Sequence, residues 1–133
     1  MESLTKFVKQ NPNTIRHILK ALLRAQGYYE THKEEAVKLH AKKINAKEDY
    51  VAAYMLDKHY QVNVDPLKNS IIRAWNILDK TGFLNEKAKN IKIIDHINTK
   101  IYEEALAEVT KEYGKENAEF YKKMKTFYDQ NNK

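Results

Sequence analysis

The sequence predicts an all-α domain, and three observations carry that expectation. The chain has 3 Gly and 2 Pro in 133 residues, which suits helices and leaves too few turn residues for a loop-rich β-protein. Apolar residues recur every three or four positions over most of the chain, the spacing of a buried helical stripe. Helix-start signals precede several of these stripes: Asn-Pro, Asp-Pro and Thr-x-x-Glu. The expectation is about six to seven amphipathic helices in a compact array. They form one domain over 1–133, with one short extended segment near 91–95.

The elements follow in order. A short helix is expected over Ser3 to Lys9. Asn11-Pro12 then reads as N-cap and first helical position. Behind it Ile15, Ile18, Leu19, Leu22, Leu23, Gln26 and Tyr29 form one stripe, which Gly27 weakens without ending. Thr31 to Glu34 fits a capping box for a helix to about Lys43, with Ala36, Val37, His40 and Ala41 inward. Asn45 to Glu48 repeats the signature, and Tyr50, Val51, Tyr54 and Met55 share a face of the next helix. His59 to Val64 alternates polar and apolar residues, so it is extended or loop. Asp65-Pro66 opens a helix whose stripe is Leu67, Ile71, Ala74, Trp75 and Leu78, and Gly82 occupies the place of a left-handed cap. Ile91, Ile93 and Ile94 suit a short extended stretch. Asn98 or Thr99 starts a helix with Ile101, Tyr102, Ala105, Leu106 and Val109 inside, broken at Gly114. The last helix carries Phe120, Tyr121, Met124, Phe127 and Tyr128 on one stripe, and Gln130 to Lys133 are expected to fray.

Composition narrows function by exclusion. Hydrophobic residues make up 42% and charged residues 32%, with a mean hydropathy of −0.77. A chain of this balance is globular and is expected neither to be disordered nor to insert into a membrane. With no Cys, disulfides, thiol nucleophiles and thiolate metal sites are excluded. The longest uncharged apolar run, Val51 to Leu56, is far below the ~20 residues of a spanning helix. The start, Met1 to Lys6, lacks the apolar stretch of a signal peptide, so no export signal is expected. The net charge of +6 comes from Lys, with Arg only at positions 16, 24 and 73. Groove readers lean on Arg for its bidentate geometry, so nucleic acid is not the expected partner.

No constellation signals catalysis, and the chain is expected not to be an enzyme. The histidines His17, His32, His40, His59 and His96 include no i, i+4 pair, and none has a Glu three residues before it. No metal and no cofactor is therefore expected. Glu104, Glu108 and Glu112 stand at i, i+4, i+8 and put three carboxylates on one helical face. Such a row suits a cation or paired acids. Lys100 and Lys111 on the same helix favour a solvated charged face instead. The three isolated glycines build no phosphate loop, and Ser3 and Ser70 lie in helical sequence rather than at a nucleophile elbow. Ala36 to Leu56 reads helix, turn at Ile44-Asn45, helix. That pattern resembles a helix-turn-helix with Lys47 to Tyr54 as the recognition helix. Against this, the recognition helix opens on Glu48 and Asp49, which phosphates repel. The aromatic residues fall mostly on the stripes above, so packing is their expected role.

Several segments together resemble a family. Phe7 to Thr14, "FVKQNPNT", precedes a long helix. Thr31 to Ala36 opens a second helix, "VDPLKNSIIRAWNILDKTGFL" follows, and "IIDHINTKIYEEAL" closes the run. Over about 4–109 this is similar to the later part of substrate-binding proteins of nitrate/sulfonate/taurine-type ABC importers. That family includes relatives binding thiamine-pyrimidine precursors. The resemblance implies a two-lobed α/β protein, extracytoplasmic, that closes on a small anionic or heterocyclic solute by a hinge. It also implies that this chain corresponds to the C-terminal helical part, with an additional helix over 110–133. The sheets and most of the pocket lie elsewhere in such proteins. No ligand residue transfers, because the matching positions are helix faces and caps. The partner implied is the missing lobe or a second copy of the chain. The alternatives are a stand-alone basic helix-turn-helix protein using 36–56, and a helical protein-interaction module.

Overall fold

The computed structural model describes residues 5–133. Eight α-helices follow one another there, with no strand among the described residues: α1 Thr5–Gln10, α2 Pro12–Thr31, α3 Lys33–Ile44, α4 Glu48–Met55, α5 Lys68–Lys80, α6 Glu86–Lys89, α7 Lys100–Tyr113 and α8 Ala118–Asn132. The all-α expectation holds, with one or two more helices than predicted. Ser3 and Leu4, placed in the first helix by sequence, lie outside the described residues. Instead of an extended segment near 91–95, Ile93–His96 forms a single 3-10 turn.

Helix α2 is the spine and lies along α7. Ile15, Leu19 and Leu23 of α2 meet Tyr102, Ala105, Leu106 and Val109 of α7, and Phe120, Tyr121, Met124 and Tyr128 of α8 close the group. Burying each of the Ile, Leu, Val, Phe and Met side chains among them contributes about 1.5–3 kcal/mol. Gly27 permits this closeness. A Cβ there would lie 3.0 Å from the Phe120 ring, so the helix accepts its weak former where α8 crosses. A second, smaller core joins Tyr29 at the end of α2 to Val37 and Ala41 of α3 and Val51 and Met55 of α4.

Gln26 ties the first core to the loop over 60–64. It is buried, its amide nitrogen 3.4 Å from the Met124 sulfur, and its amide oxygen accepts the Val64 N–H at 3.2 Å.

Helix ends explain where the sequence reading moved. Asn11-Pro12 opens α2 as expected. Thr31 does not cap α3: it is the last residue of α2, its hydroxyl turned back onto the Gly27 and Tyr28 carbonyls. Asn45 does not start α4 but closes α3 in the left-handed region, φ 54°, with Ala46 N–H on the Ala41 carbonyl at 2.9 Å. Gly82, φ 72°, closes α5 as predicted, with Phe83 N–H on the Leu78 carbonyl and Gly82 N–H on that of Asp79. Helix α5 begins at Lys68 rather than Pro66. The Asp65 carboxylate takes the Leu67 N–H at 2.8 Å, and Leu67 turns left-handed, φ 52°.

Burial corrects five assignments. Ile18 and Leu22 leave the α2 stripe for the surface, and His40 is exposed, edge-on to Tyr54. Tyr50 is 68% exposed. The α5 stripe buries nothing. The C-terminus does not fray: α8 runs to Asn132, which is 3% exposed. Its amide donates to Asp65 at 2.8 Å and accepts the Lys68 N–H at 2.9 Å, while Lys68 Nζ donates to its carbonyl.

Candidate functional sites

The carboxylate row on α7 is a fastening. Glu104 and Glu108 meet Arg16 at 3.6 and 2.9 Å, and Glu108 and Glu112 meet Lys20 at 3.2 and 2.6 Å. One turn further, the Arg24 guanidinium lies over the Tyr113 ring, 3.9 Å from its centroid. Each step of four along α2 matches a step of about four along α7, so the two helices run parallel in this register. The hydrogen bond to Glu112 is the main reason that Lys20 holds its proton above the ordinary lysine range. Two of the three arginines are thereby committed to packing. No group of three or more metal-ligating side chains converges among the described residues.

The helix-turn-helix segment corresponds to α3 and α4. Val51 and Met55 hold α4 against α3 and the end of α2, and Tyr29 donates its hydroxyl proton to the Met55 carbonyl. The exposed side of α4 presents Glu48, Asp49, Tyr50 and Ala53. Two acids and a tyrosine offer little to a phosphate backbone.

Two further features are concave. The first, about 350 Å³, lies between the end of α2, the loop over 58–63 and α8. Lys33, Lys58 and Lys123 surround it, and Tyr29, Tyr60 and Phe127 supply aromatic walls. Lys123 already pairs with Glu30 at 2.8 Å. The second, about 440 Å³, is a largely apolar groove bounded by α1, α2, α5, α7, the Val64 to Pro66 segment and the 3-10 turn. Tyr102 and Asp65 lie in its wall, 1% and 7% exposed. The Tyr102 hydroxyl and Asp65 Oδ2 have no hydrogen-bond partner among the described residues. Burial, then the Asp65 charge, pushes the Tyr102 hydroxyl far above the usual tyrosine range, so it stays protonated.

The third feature is a surface. Ile71 and Ile77 of α5, Phe83 and Leu84 after it, and Ile91 and Ile94 around the 3-10 turn are exposed or half-buried, with Ile77 at 55% and Phe83 at 79%. Sequence reading found the apolar stripe of α5 but placed it inside. It found neither Asp65 nor Asn132 as a network, since the two are 67 residues apart. The Asp65-Pro66 signal pointed to a cap, and the cap's second oxygen is buried and unpartnered in a residue of the groove wall.

No helix among the described residues is long and apolar enough to cross a membrane. Comparison with protein-family models, curated proteins and solved structures finds no match to this chain.

Proposed function

We propose that this chain is a non-catalytic helical part of an importer-type solute-binding protein, unable to trap a solute by itself. Two things support the reading: the resemblance of the Asn11-Pro12 helix start and of the Ile97 to Leu106 close to that family, and the state of α5. The carrying observation is α5. It is amphipathic over 13 residues and buries none of them, and Phe83, Ile91 and Ile94 extend the apolar surface beyond it. Large apolar faces of this kind mark interaction sites. The occupant we assign is the sheet-bearing remainder of such a protein, because the resembled family packs its helical part on sheets and no strand is present among the described residues.

Isothermal calorimetry tests the first half of this reading. The chain alone, titrated with nitrate, taurine, an alkanesulfonate and a pyrimidine precursor, gives no heat of binding. Micromolar affinity for any of them contradicts the proposal. Sedimentation equilibrium tests the second half. Without its cover the face drives self-association at tens of micromolar or above, roughly the strength of a small apolar contact, and Ile77→Lys with Phe83→Lys abolishes it. A monomer that binds no hydrophobic dye contradicts the assigned interface.

A further inference from the structure

The apolar groove beside α5 carries an inference that does not depend on that reading. Its walls are aliphatic, with Ile15, Leu19, Val64, Ile71, Ile97 and Ile101 among them. Its volume of about 440 Å³ falls within the ~300–1,000 Å³ range of small-molecule sites. A groove lined this way would be a plain packing defect if its polar atoms were satisfied. They are not. Asp65 spends Oδ1 on the Leu67 N–H and the Asn132 amide, both at 2.8 Å, and leaves Oδ2 buried and unpartnered. Asp65 has no ion-pair partner among the described residues. The ammonium of Lys68, in the same network, is turned to the Asn132 carbonyl at 3.0 Å. Tyr102, whose hydroxyl is also buried and unpartnered, belongs to the wall of the same groove. Buried polar atoms are almost always bonded, so an orphaned carboxylate oxygen and hydroxyl in one apolar groove call for a ligand that supplies donors.

We infer that this groove binds an aliphatic primary amine, its ammonium donating to Asp65 Oδ2 and to the Tyr102 oxygen while its alkyl chain lies along the isoleucines. An ammonium fits better than a neutral alcohol because it offers three donors and offsets the buried carboxylate charge. The net charge of +6 does not forbid a cation here. Charges farther away than about 8 Å are screened at physiological ionic strength, whereas the Asp65 contact is direct.

The test uses the whole chain with hexylamine, hexan-1-ol and hexanoate as probes. Calorimetry reads affinity, and NMR shifts of the Ile71, Ile97 and Ile101 methyls and the Tyr102 ring read location. Hexylamine binds with shifts confined to the groove, hexanol binds at least about tenfold more weakly, and hexanoate does not bind. Asp65→Asn keeps an oxygen for Leu67 and Asn132 but replaces the free oxygen with a donor, so it removes the preference for amine over alcohol. Should that variant fail to fold by circular dichroism, Tyr102→Phe decides. It loses one hydroxyl and weakens hexylamine by about tenfold while leaving hexanol within about twofold. The inference is overturned if hexylamine and hexanol bind equally, if the amine shifts map elsewhere, or if no probe binds at millimolar concentration, which would leave the groove to water.

Discussion

Helices α5 and α7 differ by one residue in length and both carry an apolar stripe, yet they end in opposite environments. Helix α7, 14 residues, buries Tyr102, Ala105, Leu106 and Val109 against α2 and α8 and fastens its acidic edge to Arg16 and Lys20. Helix α5, 13 residues, carries Ile71, Ile72, Trp75, Ile77 and Leu78 and buries none of them. It touches the rest mainly at α8 and at the 3-10 turn. Apolar spacing therefore tells which face of a helix is suited to burial. It does not tell whether the chain itself supplies the cover. That second fact depends on contacts between distant residues, and here it separates a core helix from a surface offered to something else.

The sharpest way to break this comparison is truncation on each side. Leu23→Ala or Leu106→Ala, both at fully buried positions, costs about 2–5 kcal/mol through lost transfer energy and a residual cavity. Ile77→Ala or Phe83→Ala stays within about 0.5 kcal/mol. Urea midpoints measure both. Equal losses on the two helices would mean that α5 is packed after all.

The next effect is at the α2–α8 crossing. Gly27→Ala gains about 1 kcal/mol of helix propensity but drives a methyl into the Phe120 ring, where overpacking costs about 1–3 kcal/mol. The net expectation is a loss of about 1 kcal/mol by the same urea assay. Stabilisation would show that the ring yields freely.

Alkaline pH singles out the core in a different way. The unfolded chain releases the Tyr102 proton near 10.0, whereas the folded chain, with the hydroxyl buried beside Asp65, holds it to higher pH. The folded state thus keeps a proton that the unfolded state has lost. Stability is complete below about pH 10 and falls as pH rises above it. Tyr102→Phe flattens that fall in a urea series begun near pH 9. An unchanged slope would remove Tyr102 as its source. Smallest is the ladder between α2 and α7. Glu108→Gln destabilises slightly at low salt, less than any core truncation, and the difference disappears in molar salt. A salt-independent loss would mean that packing, not charge, is what Glu108 supplies.

The stripes of α2, α7 and α8 were legible because period and cap agree along a continuous stretch. The Gly82 closure was legible for the same reason, since a left-handed position after a stripe favours glycine. The Glu104, Glu108, Glu112 row was visible, but its use was not. Arg16 and Lys20 lie about 88 residues away, and nothing local marks them as partners. Thr31 and Asn45 misled because both residue types serve the end of one helix as readily as the start of the next, here Thr31 by its hydroxyl and Asn45 by its left-handed backbone. The fraying expected at the C-terminus overlooked Asn132, whose amide reaches back to Asp65 and Lys68. The groove between α5 and α7 was invisible in the sequence, because a carboxylate that caps a turn looks the same whether its second oxygen meets water or an apolar wall.

Residue-resolved amide hydrogen exchange of the chain alone tests the contrast most directly. The account predicts that α7 amides from Tyr102 to Val109 exchange only through global unfolding. Amides of α5 from Ile72 to Lys80 should open at least about a hundredfold more often, because no buried side chain holds that helix. Equal protection of α5 and α7 would contradict the account, since α5 would then be part of the core and its apolar face would need no partner.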